Sequence, residues 1–254
     1  MIEKNETWIL VDRPIHKKVI GVKWIFKTKL NANGNINKYK AGLVVKWYSQ
    51  EPGIDFIDTF APMSRLNTIK LLLALAAQST WLDVKSAFFN GILNEEIYDE
   101  QPDGFEKEIT TNKVYLLKAL YGLKQAPRTW YSRLDSHLLS LGFERSMNKG
   151  TLYVKYVDKH KPIVLVYIND LLITSDKEQL VEEFKGNMKD KFEMNELGLL
   201  TYFLGMEITR SIYDYFLCQK MFTLKLLNKF VMENCKLVNT PMALGEKLKK
   251  DYRA

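Results

Sequence analysis

Residues 162–168 form a nearly all-apolar run, Pro-Ile-Val-Leu-Val-Tyr-Ile. A short run without polar alternation predicts a strand that is buried on both faces of a sheet. Asn169-Asp170 has the composition of a two-residue turn, and residues 171–173 supply a returning apolar strand. Both faces of such a hairpin need cover, so the sequence predicts a mixed α/β (α+β) fold with helices over an antiparallel hairpin.

Periodic patterns elsewhere in the chain supply the helices and the further strands. Helical spacing of apolar residues predicts helices at about 68–76, 128–140, 176–191 and 222–231. Alternation and turn chemistry predict hairpins at 19–27 with 39–45 and at 199–209 with 215–218, and a short strand at 81–84. The first hairpin is basic, since it carries or borders Lys27, Lys29, Lys38, Lys40 and Lys46.

Length and composition place the chain among ordinary globular proteins. With 254 residues, 46% of them hydrophobic and 26% charged, it has enough apolar surface to bury a core, and it shows no low-complexity run or linker. The formal net charge is +7. A surplus of this size is compatible with a polyanionic partner but does not demonstrate one.

Several classes of site find no support in the sequence. Cys218 and Cys235 are far apart and the three histidines lack partners at ligand spacing, so we expect reduced thiols and no zinc site. The opening residues lack a signal-peptide pattern, and the longest apolar run, 71–77, is far shorter than the ~20 residues that cross a bilayer. We therefore expect an intracellular protein, neither secreted nor in a membrane, with cytoplasm and nucleus both open.

Two aspartates could form a metal site. Asp83 lies on the short predicted strand, and Asp170 lies at the tip of the apolar hairpin. Carboxylates at the ends of adjacent strands can converge on divalent cations, as they do in phosphoryl-transfer enzymes. The alternative is a simple tight turn beside an ordinary polar residue at a strand end, and on spacing alone that alternative is favoured.

Family motifs change that balance. The matching segments, in chain order, are APM at 61–63, LDVKSAFFNG at 82–91, YGLKQAPRTWY at 121–131, VYIND at 166–170 and FLGMEI at 203–208. Together they closely resemble the reverse transcriptases of copia-type LTR retrotransposons, over a span from about Trp8 to Met242. One such motif would be weak support, whereas the ordered set is specific.

The resemblance implies a right-hand polymerase. It places a fingers-like region at 1–80, a palm at 81–209 with a fingers insertion around 92–130, and the start of a thumb at 210–254. The implied reaction is Mg²⁺- or Mn²⁺-dependent attack of a primer 3′-hydroxyl on a deoxynucleotide. The implied partners are an RNA or DNA template–primer and the deoxynucleoside triphosphate.

The same resemblance assigns residues to roles. Asp83 and Asp170 would be the catalytic metal ligands, with Asn169 in place of an expected aspartate. The nucleotide-binding candidates are Phe88, Lys40, Tyr121 and Lys124, with Arg128 as a further phosphate contact. The primer grip would include Leu204, Gly205 and Met206, and Lys225 and Lys229 of the thumb would face the duplex. Phe88 could equally be a core aromatic, and the lysines could be ordinary solvated residues.

This sequence departs from the family pattern at positions that matter for catalysis. Asn169 removes one full charge; a charge at 4 Å from a divalent ion is worth up to ~8 kcal/mol gross. A net loss of ~4 kcal/mol would slow the reaction about a thousandfold. Gly42 stands where the family has an arginine, and Lys46-Trp47 replaces a lysine–glycine pair. These changes predict an impaired or inactive polymerase. The alternatives are a non-catalytic nucleic-acid-binding protein and a misfolding relic with no biochemical role.

The connector before Asp83 also looks short. Only residues 78–80 separate the predicted helix from the predicted strand, where relatives usually have several more residues. Either the helix ends early near Ala76, or the strand begins at Trp81 and pairs for only three or four residues. We expect either outcome to cost backbone hydrogen bonds beside Asp83.

Overall fold

The computed structural model describes residues 8–30, 35–75, 79–104, 112–117, 120–199, 202–203, 206–211 and 215–238. The chain forms two compact units, residues 1–200 and 201–254, and each is described by itself below.

The first unit is built on a mixed α/β core. Its largest sheet has the strand order β12-β5-β11-β10-β9-β8. These strands are β5 (Ser79–Val84), β8 (Glu144–Ser146), β9 (Lys149–Val154), β10 (Ile163–Tyr167), β11 (Asp170–Thr174) and β12 (Met194–Leu199). The helices of this unit, within the described residues, are α1 (Leu66–Leu75), α2 (Ala126–Ser140) and α3 (Glu178–Lys191).

The apolar hairpin β10–β11 is central in this sheet and buried on both faces, as the sequence predicts. Val164 and Ile173 share one core with Leu134 of α2 and Phe184 of α3. The intervening Leu165 is also buried, and its side chain points to the opposite face because side chains alternate along a strand. Helices α2 and α3 therefore cover one face of the hairpin, which confirms the predicted mixed fold.

The connector before Asp83 gives a different result from the expected loss of pairing. The described part of helix α1 runs from Leu66 to Leu75, the expected early helix end near Ala76 lies outside the described residues, and β5 begins at Ser79. Strand β5 pairs residue by residue with β11 from Ser79 to Asp83, and with β12 on its other side. The expectation of lost ladder hydrogen bonds beside Asp83 is therefore wrong, because the strand recruits the residues assigned to the connector.

A smaller sheet and a two-stranded ribbon complete the first unit. The sheet has the order β1-β7-β6-β2, and the ribbon pairs β3 with β4. The strands are β1 (Trp8–Asp12), β2 (Val19–Ile20), β3 (Val22–Leu30), β4 (Ile36–Val45), β6 (Ile97–Asp99) and β7 (Lys113–Leu117). Leu43 and Val45 at the base of the ribbon share a second core with Ile97 and Leu117. Sequence periodicity predicted the ribbon but not the four-stranded sheet.

The second unit contains, in its described residues, a three-stranded sheet and one helix. The strands are β13 (Tyr202–Phe203), β14 (Met206–Arg210) and β15 (Tyr215–Cys218), in the order β13-β14-β15, followed by α4 (Lys220–Lys229). The Glu207 side chain accepts a hydrogen bond from the backbone N–H of Met221 at 3.2 Å, which ties α4 to β14. The predicted strand at 199–209 is therefore divided between strands of the two units.

Candidate active site

The structure brings Asp83 and Asp170 together. They are direct Cα partners in the antiparallel pairing of β5 with β11. Cα atoms of directly opposed residues in such a pair lie about 4.5–5.5 Å apart, so both carboxyl groups emerge at the same place. The two strands thus position the acids through backbone hydrogen bonds.

The turn that precedes Asp170 lies one residue earlier than expected. Tyr167 pairs with Asp170, so the two loop residues are Ile168 and Asn169, and Asp170 is already part of β11. Ile168 adopts a left-handed conformation with φ of 56°. A β-branched residue rarely adopts this conformation, so the turn carries backbone strain.

Two hydrogen bonds hold this strained turn. The indole N–H of Trp130 on α2 donates to the carbonyl oxygen of Ile168 at 2.8 Å. The backbone N–H of Val84 donates to the carbonyl oxygen of Asn169 at 2.9 Å. Sequence reasoning placed Trp130 on the apolar stripe of the predicted helix and gave it no functional role, although it lies in the 121–131 motif.

The Asn169 side chain lies between the two acids. Its Nδ2 is 2.6 Å from Oδ1 of Asp83 and 3.4 Å from Oδ1 of Asp170. Two acceptor groups require a donor between them, so the amide presents N–H rather than C=O to both carboxylates. An aspartate at this position would present only acceptors.

The acid pair has a distinctive electrostatic environment. Burial, and secondarily the charge of Asp83, raise the pKa of Asp170 to about 6, while a hydrogen bond with Trp81 acts in the opposite direction. Neighbouring like charges in a partly buried site favour a bound cation or a bound proton.

Aromatic rings form the next layer of the site. A one-turn 3₁₀ helix at Ala87–Asn90 follows Asp83, and its Phe88 and Phe89 rings lie 4.9 and 5.1 Å from the ring of Tyr121. Burial raises the pKa of Tyr121, and the charge of Asp83 contributes to the same shift. Phe88 also packs against both hydrophobic cores, so it is a core aromatic as well as a neighbour of the acids.

Close packing fixes the loop that carries Tyr121. The carbonyl oxygen of Tyr121 accepts a hydrogen bond from the N–H of Val45 at 3.0 Å. Gly122 has φ of 96°, and a Cβ there would lie 2.5 Å from a Val44 methyl group and 2.7 Å from the Val45 carbonyl oxygen. Only glycine fits this approach of the loop to β4.

The two basic candidates of this loop have partners within the protein. Lys124 Nζ donates to the carbonyl oxygen of Gln50 at 3.3 Å and lies 4.8 Å from the ring centre of Phe56. Arg128 forms an ion pair with Asp58 at 3.2 Å. A phosphate contact would require either side chain to exchange these partners.

The ribbon presents Lys40 to solvent. Lys40 is exposed and lies directly opposite Lys27 across the ribbon, and Gly42 is opposite Ile25. Like charges in direct opposition repel, so this face favours an anionic partner. The backbone of Lys29 pairs with that of Lys38.

The primer-grip prediction is only partly within the described structure. Leu204 and Gly205 lie outside the described residues. Met206 begins β14 and is buried. Lys225 and Lys229 are both in α4 of the second unit.

The donor set at Asp83 and Asp170 fits one divalent cation. Mg²⁺ is commonly held by one or two carboxylates with water and substrate phosphates in the remaining positions. Among the described residues, no group of three or more histidine, cysteine, aspartate or glutamate side chains is placed to hold a metal ion. No described helix has both the length and the apolar character needed to cross a membrane.

Comparison with known proteins identifies a family. Residues 5–244 match the family model described as reverse transcriptase (RNA-dependent DNA polymerase). The chain is 40% identical over 250 residues to the Retrovirus-related Pol polyprotein from transposon RE1 of Arabidopsis thaliana, covering 96% of this chain and 17% of the relative. It is 39% identical over 257 residues to the corresponding polyprotein from transposon TNT 1-94 of Nicotiana tabacum, covering 98% of this chain and 19% of the relative.

The chain thus spans under a fifth of the length of these relatives. A crystal structure of prototype foamy virus protease–reverse transcriptase matches with a TM-score of 0.38 and 14% identity, covering 89% of this chain and 29% of that chain.

Proposed function

This chain belongs to the reverse transcriptase family of copia-type Pol polyproteins, and from that premise we propose that it binds template–primer and deoxynucleotide with nucleotidyl transfer strongly impaired. The observation that carries the proposal is the cluster of Asp83, Asn169 and Asp170. Two acids are Cα partners on neighbouring strands, and an amide donor lies between them.

The reaction that the site would serve is a phosphoryl transfer. The primer 3′-hydroxyl oxygen forms a bond to the α-phosphorus of the nucleotide, and its proton passes to solvent water. The bond from that phosphorus to the bridging oxygen breaks, and pyrophosphate leaves. A divalent cation held by Asp83 and Asp170 would supply charge neutralisation to the phosphate oxygens. The residues of the chain itself position the reactants.

Several side chains are suited to that positioning. Tyr121 and Phe88 form an aromatic surface beside Asp83, on which a sugar and base can pack. Lys40 and Lys27 present positive charge from the ribbon to phosphate groups. We propose the palm for the sheet that contains β5, β10 and β11, and the fingers for the ribbon.

Asn169 is the reason to expect a slow reaction. Its N–H groups face both acids, so the position supplies neither the charge nor the geometry of a third carboxylate. A net loss of ~4 kcal/mol of transition-state stabilisation corresponds to a rate about a thousandfold lower. Because β5 pairs with β11 from Ser79 to Asp83, we expect Asn169→Asp alone to raise the extension rate, without a longer connector.

Primer extension measured beside a binding titration tests the proposal. The protein is incubated with MgCl₂, deoxynucleotides and a DNA primer on an RNA template, and binding of the same template–primer is titrated from low to moderate salt. We expect binding that weakens steeply with salt, little extension by the natural chain, and clearly faster extension by Asn169→Asp. Asn148→Asp, at an exposed position in the turn between β8 and β9, makes the same charge change away from the acids and the ribbon.

A non-catalytic nucleic-acid-binding protein is the second candidate, and the amide between the acids favours it. Such a protein binds template–primer with the same salt dependence, and neither the natural chain nor Asn169→Asp extends the primer. Binding that barely responds to salt would contradict both candidates.

A further inference from the structure

The Asn169 side chain occupies the place where positive charge is needed between two acids. Asp83 and Asp170 face each other across β5 and β11, and the Asn169 amide is 2.6 Å from the first acid and 3.4 Å from the second. The nearest basic residue in sequence, Lys85, pairs instead with Glu193 at 3.1 Å. The amide therefore supplies N–H donors to the acid pair, which Lys85 does not neutralise.

We propose that Asn169 is a positioning residue that bridges Asp83 and Asp170, so that the site is assembled without a divalent cation. The inference rests on the proposed assignment of these acids as the cation-binding pair. An amide N–H donated to a carboxylate is a charge-assisted hydrogen bond, which is stronger than a bond between neutral groups. The bridge offsets the repulsion that would otherwise separate the β5 and β11 ends.

The bridge also opposes cation binding. A cation that takes Oδ1 of Asp83 as a ligand must displace the Asn169 N–H from that oxygen. The chain then loses the hydrogen bond and gains an ion at a site with one charge fewer than three acids would give. Cation binding is therefore weak in the natural chain and becomes strong when the amide is replaced.

Thermal unfolding tests this inference without an activity measurement. The full 254-residue chain and its variants are unfolded by heat in EDTA and in MgCl₂ at matched ionic strength, with tryptophan fluorescence as the signal. Asn169→Asp adds a third carboxylate, and Asn169→Ala removes the donor without adding charge. Asn37→Asp on the exposed ribbon controls for net charge.

We expect the natural chain and Asn37→Asp to change their melting temperature by less than ~1 °C between EDTA and MgCl₂. Asn169→Asp melts at least ~3 °C below the natural chain in EDTA and regains that difference in MgCl₂. Asn169→Ala shows a fall of the same sign in EDTA, so the result does not depend on one variant.

Two outcomes would overturn the bridge. One is an equal rise in melting temperature for the natural chain and Asn169→Asp on addition of MgCl₂. The other is an Asn169→Ala melting temperature in EDTA that equals that of the natural chain. A failure to bind template–primer would contradict the proposed function while leaving this measurement intact, so the two failures are distinguishable.

Discussion

The buried side chain of Asp99 offers a quantitative test of how the stability of the first unit depends on pH. It lies on β6 with 1% of its surface exposed, and neither carboxylate oxygen has a hydrogen-bond partner among the described residues. Burial raises the pKa of Asp99 to about 8, the charge of Glu100 adds to the shift, and the charge of Lys46 opposes it. The fold therefore holds this acid in its neutral form at neutral pH.

The sign of the pH effect follows from linkage. The pKa of an unfolded aspartate is about 3.9. The folded chain keeps the proton up to about pH 8, whereas the unfolded chain releases it at a lower pH. The free energy of unfolding therefore falls as pH rises between these two values. Each unit of pH in that window costs the fold about 1.4 kcal/mol, or about 4 kcal/mol between pH 5 and pH 8 as an upper estimate. Asp99→Asn removes this cost.

Urea unfolding at several pH values measures the effect. All five tryptophans lie in residues 1–200, so fluorescence reports on the unit that contains Asp99. We expect the free energy of unfolding of Asp99→Asn to exceed that of the natural chain by an amount that grows by about 2–4 kcal/mol from pH 5 to pH 8. Asp103→Asn, at a nearby exposed position, supplies the matched control. Parallel pH curves for Asp99→Asn and the natural chain would refute the reasoning.

Four further substitutions test the loop, helix α3, the turn and the ribbon. Gly122→Ala should lower the free energy of unfolding by more than ~2 kcal/mol, because its Cβ would collide with Val44 and Val45. Gly186→Ala should raise it by ~0.5–1 kcal/mol in the same urea assay, because a Cβ at this position of α3 meets open space. Trp130→Phe should cost ~1–3 kcal/mol by leaving the Ile168 carbonyl without its donor, and an unchanged urea midpoint would contradict this. Gly42→Arg should fold normally, since a Cβ there has no neighbour within 4 Å. In a titration, the slope of the logarithm of the template–primer binding constant against the logarithm of salt concentration should become steeper by ~0.9.

The hairpin β10–β11 was predictable because its burial on both faces is encoded in a contiguous apolar run. Its turn was placed one residue too late, because turn composition favours Asn169-Asp170. The pairing of β11 with β5 decides the register instead, and it moves the left-handed conformation onto Ile168. Tertiary pairing thus outweighed the local preference of an isoleucine.

The small sheet was not predictable from periodicity. Its strand β6 has three residues and β2 has two, which is too short for alternation to show. Strand β2 pairs with β6 and β1 pairs with β7, and in both pairs the two strands are far apart along the chain. The burial of Asp99 depends on that sheet, so no local pattern signals its raised pKa.

The acid pair was predictable as a pair, but its chemistry required the structure. Motif resemblance placed Asp83 and Asp170 at one site, and the register of β5 with β11 sets them opposite each other. The direction in which the Asn169 amide points depends on both carboxylates at once. A sequence shows the loss of a charge at position 169, whereas only the geometry shows that a donor has taken its place.

The departures at Asn169 and Gly42 reduce charge without damaging the fold. Asn169 gains a hydrogen bond at 2.6 Å, and Gly42 lies in open space on a well-paired ribbon. The two positions are on separate elements, and we expect the substitutions that restore the family residues to act on different steps of the reaction. Gly42→Arg should lower the dissociation constant for nucleotide, and Asn169→Asp should raise the extension rate in MgCl₂. The two gains in kcat/KM should therefore multiply in the double variant. A double variant no faster than Asn169→Asp alone, at nucleotide below saturation, would show that the arginine position does not contribute to nucleotide binding.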